Sequence, residues 1–439
     1  MAEKGSPNLF SPLELQSPIC SSPEDFEYLD LDALIRRRDQ RKALKRPLPI
    51  LRESIAKQTD FSLSLAEHVI STKAKDTNFV FSPLSMHVVL CMVASGSSGP
   101  TRDQFLGYLK SKSVEELNSL SSQVATLLFA DGGPLGGPRL SFADGVWVDQ
   151  SLTLKPAFKE IVENEYKAAS NQVDFQNKAD EVREEVNAWA EKETNGLIKD
   201  LLPFGSVDST TKLILANALY FKGTWAEKFK KSLTKDDDFF LSNGTSVRVP
   251  FMTSRKKQCI HSFKGFKVLK LPYEHGDDNR RFSMLIYLPN ARDGLPALVE
   301  KFGSVPGFIQ NHLPGWPVKV GDFRVPKFKI SFGFEASEVL QGQGLVLPFL
   351  PGGLNEMVEK GGERLKISNF FHKSCIDVDE QGTEAAAASA CLFGECDSMG
   401  PIKEVKVDFV ADHPFMFVVR EDVSGAVLFV GQLLNPKAA

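Results

Sequence analysis

The chain has 439 residues, 42% hydrophobic and 25% charged, with 52 Lys and Arg against 56 Asp and Glu for a net charge of −4. This balance excludes collagen-like, wholly disordered and disulfide-scaffold chains, and it excludes a protein whose main task is coating nucleic acid. Aromatic content is skewed to 33 Phe against 6 Tyr and 4 Trp; Phe has no polar handle, so a large dry core is expected.

Residues 1–50 read as a flexible charged extension. They are rich in Ser, Pro and charge, and Pro7, Pro12, Pro18, Pro23, Pro47 and Pro49 break any long element. Within it, the run Arg36 to Arg46 holds seven basic residues in eleven. That density reads as a nuclear import signal for an import receptor, or else as a solvated charged tail. Met1 to Cys20 lack the apolar stretch of a secretory signal, so a cytoplasmic protein with a nuclear option is expected.

The globular part is expected over 51–439. Thr59 to Ser71 places Phe61, Leu63, Leu65, His68 and Val69 at helical spacing. Ser82-Pro83 opens a second helix through Met86 to Val93, with Pro at its first position. Thr77 to Thr101 is the longest uncharged run, but Pro83, Gly96, Gly99 and Pro100 make it a core helix with loops rather than a membrane span. Pro156 to Tyr166 and Glu181 to Leu202 read as helices, the latter with Val182, Val186, Trp189 and Leu197 along one stripe. Strands are expected at Leu213 to Phe221, Lys267 to Leu271, Phe282 to Leu288, Val318 to Phe323 and Lys327 to Phe332. Three more follow at Val405 to Val410, Met416 to Arg420 and Val427 to Gln432. Helices early and strands late give an α+β fold with one shared core.

Catalytic signatures are missing. There is no GxxxxGK[ST], GxGxxG, GxSxG or HExxH, and the seven His stand apart from any metal-ligand spacing. No metal or cofactor is expected. The six Cys contain no CxxC pair and read as free thiols; nothing marks Cys91 or Cys375 as more than small core residues. Asn243-Gly244-Thr245 reads as a bare turn.

One segment departs from a plain core. Gly382 to Ala390 follows the strand-like Ser374 to Asp379 and holds Gly, four consecutive Ala and small polar residues. It reads as a short Ala-rich helix or as a stretch that is loop in one state and strand in another. As a strand, Thr383, Ala385, Ala387 and Ser389 share one face, all small enough to pass between two existing strands. Cys391 to Pro401 is punctuated by Gly and Pro, as an exposed, protease-accessible loop would be.

These residues carry a resemblance. Asp379-Glu380-Gln381-Gly382-Thr383-Glu384 with its Ala run resembles the hinge of inhibitory serpins. Phe409-Val410-Ala411-Asp412-His413-Pro414-Phe415 resembles the stretch after the reactive loop in plant serpins of the Z type. Asn78 to Ser85 is similar to the serpin shutter region, and Asn217 to Trp225 to the strand at the breach. Val249 to Met252, Tyr287-Leu288-Pro289 and Phe429 to Gln432 fit as well, so the likeness covers roughly residues 55–436. It implies the serpin fold: three β-sheets, eight or nine helices and an exposed reactive-centre loop at about 380–402. It further implies a monomeric inhibitor, not an enzyme, which traps a serine or cysteine endopeptidase as an acyl-enzyme while the loop inserts into the central sheet. The hinge residues would be Glu380, Gly382, Thr383, Ala385, Ala386, Ala387 and Ala388. Ser82, Ser85, Asn217 and His372 would form the shutter, with Trp225 at the breach.

Counting Glu380 as one, the seventeenth position is Cys396, so the reactive bond would be Cys396–Asp397, with Glu395–Cys396 and Asp397–Ser398 as neighbouring alternatives. No Lys or Arg occurs between Gln381 and Ile402, so an Arg/Lys-specific protease has nothing to hold. Ser113 to Ala130 also lacks Lys and Arg, and no heparin activation is expected. The other reading of the resemblance is a non-inhibitory serpin used for storage or interaction, with an extracellular setting by family analogy as the less favoured location.

Overall fold

A computed structural model describes residues 48–129, 133, 136–277, 280–383 and 406–438. The basic run Arg36 to Arg46, the Ala run Ala385 to Ala388 and the Cys396–Asp397 bond lie outside the described residues.

Helix α1, Leu48–Lys73, starts three residues ahead of the expected boundary at 51. After β1 (Phe79–Phe81), Ser82 caps α2, Pro83–Ser95, by accepting from the Ser85 amide, and Pro83 at the first position has no amide to leave unpaired. Helix α2 is buried almost all round, which explains its lack of charge. Helices α3 (Gly99–Tyr108) and α4 (Val114–Leu127) follow. Pro156 to Tyr166 divides into α5, Pro156–Glu160, and a π-helical turn, Ile161–Glu165. The helix expected over Glu181 to Leu202 is instead α6, Phe175–Glu193. It stops where Asn195 and Gly196 turn left-handed, at φ 52° and 85°, a conformation a helix cannot continue through.

Strands appear earlier than the composition suggested. Beyond those expected, the chain forms β2 (Arg139–Asp149), β3 (Ala169–Val173), β5 (Lys235–Phe240), β6 (Ser246–Met252) and β7 (Gln258–Phe263). The expected strands are present, several with extended ends: β4 (Leu213–Thr224), β8 (Phe266–Pro272) and β9 (Phe282–Pro289). After α7 (Leu295–Ser304) and α8 (Phe308–Asn311) come β10 (Pro317–Val318), β11 (Val320–Pro326), β12 (Phe328–Glu335) and α9 (Ser337–Gly342). The chain closes with β13 (Asn369–Val378), β14 (Gly382–Thr383), β15 (Val407–Val410), β16 (Phe415–Glu421) and β17 (Val427–Leu433).

Nine α-helices and three sheets are thus present among the described residues. The sheets run β1-β17-β16-β9-β8-β7-β10, β15-β11-β6-β5, and β12-β13-β14-β4-β2-β3. No helix among the described residues is long and apolar enough to cross a membrane. Cys91, Cys259 and Cys375 form no disulfide.

The six-stranded sheet has a core on each face. Along β4, Leu213, Leu215, Leu219 and Phe221 join the main core, while Ile214, Ala216 and Ala218 join a smaller one roofed by Phe175, Val182, Val186 and Ala190 of α6. This is the two-residue alternation of a strand buried on both faces. Asn217 falls in phase with the leucines, so the sheet carries a polar residue into the main core at its centre.

Candidate functional site

Asn217 is answered from both neighbouring strands. Register places it opposite Asp144 of β2 and His372 of β13. Its amide donates to the Asp144 carboxyl, and its Oδ1 accepts from His372 Nδ1 and from Ser85 Oγ, each at 2.5 Å. His372 Nε2 faces the Ser82 amide, which donates across 3.2 Å, and the Ser374 hydroxyl at 3.0 Å. An Nε2 that accepts and an Nδ1 that donates define a neutral ring. Burial agrees, pushing the His372 pKa down to about 3. The structure therefore brings Ser82, Ser85, Asn217 and His372 into one polar rung under the sheet, all fully buried. Such a rung is favourable only while satisfied. Asp144, which sequence reasoning missed, completes it. Its second carboxyl oxygen has no partner, and burial drives its pKa well up despite the Asn217 hydrogen bond. Ser374 was missed too. Neither carried a sequence signal, since a lone Asp or Ser in a strand reads as an outward-facing residue.

At one end of the same sheet, residues 379–383 are held on all sides. Trp225 donates through Nε1 to the Asp379 carbonyl at 2.9 Å and through its amide to the Gln381 carbonyl at 2.8 Å. The Phe229 amide reaches the Glu380 carbonyl at 2.9 Å. Lys327 pairs with the Glu380 carboxylate at 2.8 Å, and Thr234 donates to it at 2.8 Å. Burial opposes ionisation of Glu380, but Lys327 and Thr234 outweigh it and hold the pKa below the usual carboxylate range.

Gly382 and Thr383 then lie as a short strand between β13 and β4. Val378 pairs with Thr383, and Thr383 and Gly382 pair with Gly223 and Thr224. A Cβ on Gly382 would overlap the Gly223 carbonyl and sit 2.8 Å from Thr224 Cα, so only Gly fits there. Thr383 is fully buried, its hydroxyl 2.6 Å from the Tyr273 hydroxyl, and Tyr273 stacks on Trp225 at 4.5 Å. Lys327, Thr234 and Tyr273 belong to other parts of the sequence, and no local pattern pointed to them. Below this point β13 and β4 pair directly, from Asn369–Ile214 to Cys375–Tyr220. The sheet is parted at one end and closed along the rest. No cluster of potential metal ligands occurs among the described residues.

Comparisons with known proteins agree with this architecture. A family model described as Serpin (serine protease inhibitor) matches residues 56–436. Serpin-ZX of Arabidopsis thaliana is 56% identical over 389 residues, covering 88% of this chain and 99% of that protein. Serpin-ZXA of Oryza sativa subsp. japonica is 52% identical, covering 89% and 99%. Among solved structures, Arabidopsis AtSerpin1 in its native stressed conformation aligns with a TM-score of 0.81 at 54% identity, over 88% of this chain and 98% of that one. A cleaved Serpin 42Da aligns at 0.74 and 30% identity, over 88% and 98%.

Proposed function

Since this chain belongs to the serpin family of protease inhibitors, with plant Z-type relatives over most of its length, we propose that it is a single-use trap for a serine or cysteine endopeptidase. The carrying observation is the strand Gly382–Thr383, which occupies the gap at the end of β4 and β13 while the rest of that gap is shut.

The protease nucleophile attacks the carbonyl carbon of Cys396. The Cys396–Asp397 peptide bond breaks, Asp397 leaves as the new amino terminus, and Cys396 stays on the enzyme as an ester or thioester. Freed at one end, Glu384 to Ala390 continue from Thr383 into the sheet. Seven direct β13–β4 register pairs, from Asn369 to Cys375, separate. Two antiparallel ladders replace them, one on each side of the new strand. A dozen added hydrogen bonds at roughly 0.5–1.5 kcal/mol net give on the order of 10 kcal/mol. The small residues Ala385 to Ala388 let the strand pass without clashes, and deacylation fails once the attached enzyme is displaced. The rung of Ser82, Ser85, Asn217 and His372 serves as the catch that must open, with Asp144 beside it. Trp225 and Glu380 hold the point where insertion starts. Residues 51–439 make up the inhibitor, and 1–50 an extension with its own addressing role.

Incubation with a panel of serine and cysteine endopeptidases, read by denaturing gels and intact mass, tests this. A band at the summed mass, with a released peptide starting at Asp397, is the expected result. Clean cleavage with no such band and no rise in thermal stability would mean a substrate-like, non-inhibitory serpin.

A further inference from the structure

Segment 225–234 holds residues 379–381 through donors of Trp225, Phe229 and Thr234. The Trp225 and Phe229 bonds end on backbone carbonyls. The bond from Thr234 Oγ1 to Glu380 Oε1, at 2.8 Å, joins two side chains. Lys327 stands 2.8 Å from the other oxygen of the same carboxylate, so the buried Glu380 is seated by one cation and one hydroxyl. A hydroxyl is also a phosphate acceptor, and the surroundings of this one suit a particular class of donor enzyme.

Thr234 follows a single 3-10 turn, Lys231–Leu233, in which Lys231 and Ser232 are exposed. Two backbone bonds close it, Leu233 to the Lys230 carbonyl at 2.9 Å and Thr234 to the Lys231 carbonyl at 3.2 Å. One such turn opens far more readily than a helix or the middle of a sheet. Beyond it the chain is already extended, as β5 at the edge of the four-stranded sheet. Asp236, Asp237 and Asp238 stand two, three and four residues after the hydroxyl. Arg324 pairs with Asp237. Asp236 and Asp238 share the other face of the strand and form no ion pair among the described residues. Carboxylates directly downstream of an acceptor repel a kinase that selects basic substrates and attract one whose substrate cleft is basic.

We infer that Thr234 is a phosphorylation site for an acid-directed protein kinase, and that the phosphate unseats Glu380 and loosens the stem. In the transfer, Thr234 Oγ1 attacks the terminal phosphorus of ATP. The Oγ1–P bond forms as the bond to the bridging oxygen breaks, ADP leaves, and the hydroxyl proton passes to the kinase's base. Phosphothreonine carries roughly two negative charges at pH 7. Attached where the hydroxyl now donates, the phosphate faces the Glu380 carboxylate and competes for Lys327. Glu380 thereby loses its donor and its cation together, and two anions this close cannot share the seat. The Trp225 and Phe229 bonds alone then hold residues 379–381. Only the effect on trapping rests on the proposed function; the modification and the loosening do not.

The test incubates the full chain with ATP, Mg2+ and a purified acid-directed protein kinase, and locates the phosphate by peptide mass spectrometry. Wild type and Thr234→Ser should take one phosphate at position 234, and Thr234→Val none there. Asp236→Asn combined with Asp238→Asn should slow transfer to Thr234 about 10-fold, the worth of two surface charge contacts. Matching thermal midpoints show that the variants are folded. Limited proteolysis should nick residues 379–383 about 10-fold faster in the phosphorylated chain, the factor given by loss of one charge-assisted hydrogen bond. A phosphatase should restore the slow rate. A folded chain that takes no phosphate at Thr234 would overturn the site, and a free peptide of residues 228–241 that does take it would show that the fold shields the hydroxyl. Equal transfer to the Asp variant would overturn the kinase class, and nicking indifferent to the phosphate would overturn the loosening. These readings need no target enzyme, so they are judged apart from the trap. The ratio of trapped to cleaved unmodified chain judges the proposed function by itself. Phosphorylation should lower that ratio severalfold, and an unchanged ratio would deny the phosphate any part in trapping.

Discussion

Asp144 carries a carboxyl oxygen with no partner, inside a rung whose other members are neutral. A raised native pKa means that its contribution is fully present below the unfolded value and is lost as pH rises through the native one. Unfolding midpoints of the wild type should therefore fall with rising pH across that range, and Asp144→Asn should flatten the fall. At the alkaline end the variant should be about 1–3 kcal/mol more stable, the cost of an uncompensated buried polar group. A variant with the same pH slope would show that the charge is relieved elsewhere. Glu380 has the opposite sign. Its lowered pKa supplies stability above the unfolded value, lost as pH falls through the native one. Acidification should loosen the stem, and Lys327→Met should loosen it already at neutral pH. Both should appear as faster nicking around residues 379–383 in limited proteolysis, while unchanged nicking would make the Lys327–Glu380 pair a bystander.

Strand β14 shows what two residues do for a sheet. Gly382→Ala puts a methyl group into the Gly223 carbonyl, so the stem must leave the gap or the strands must part. We expect a loss of roughly 1–3 kcal/mol, the usual cost of overpacking. We also expect more cleaved than trapped chain per protease molecule on a denaturing gel. Unchanged partition would mean that insertion does not begin here. This element also marks how far the sequence could be read. Gly382 and the small residues after it were visible because they repeat at strand spacing in one stretch. The Asp379–Thr383 clamp was not, because Tyr273, Lys327 and Thr234 arrive from distant segments. Helix α2 and strands β9 and β17 were legible as dense apolar runs. Strand β5 was not: Asp236, Asp237 and Asp238 occupy an edge strand in exposed or half-exposed positions and Phe239 alone is buried, so hydrophobic alternation never develops. Strand β2 hid because Asp144 and Gly145 interrupt its apolar pattern in mid-strand, where tertiary partners outweigh local propensity. Helix α6 was misjudged at its end because Leu197, Leu201 and Leu202 keep an apolar rhythm after Asn195 and Gly196 have stopped the helix.

On the scale of the molecule, the proposed function makes the closed β13–β4 pairing the higher of two states. Nicking the loop without losing either fragment should raise the melting temperature by roughly 10 °C, if on the order of 10 kcal/mol is released. Scanning calorimetry before and after limited proteolysis measures it, and an unchanged midpoint would sink the two-state reading. Another consequence follows from the first and last strands. Strand β1, at Phe79–Phe81, lies at the edge of the seven-stranded sheet against Val430–Gln432, near the far end of the chain. During synthesis, at about 5–20 residues per second, β1 waits roughly 20–70 seconds for β17, its sheet neighbour among the described residues. Through that interval the apolar α2 and β1 have no β17 to cover them, while β4 emerges midway and the stem region only near its end. Once β13 and the stem have emerged, the growing polypeptide is thus exposed, for the last few seconds before β17 arrives, to the pairing that the finished protein holds back. Which state is reached then depends on when the last thirty or so residues arrive, and a chain ended ahead of Val427 should be a client of the chaperones rather than an inhibitor.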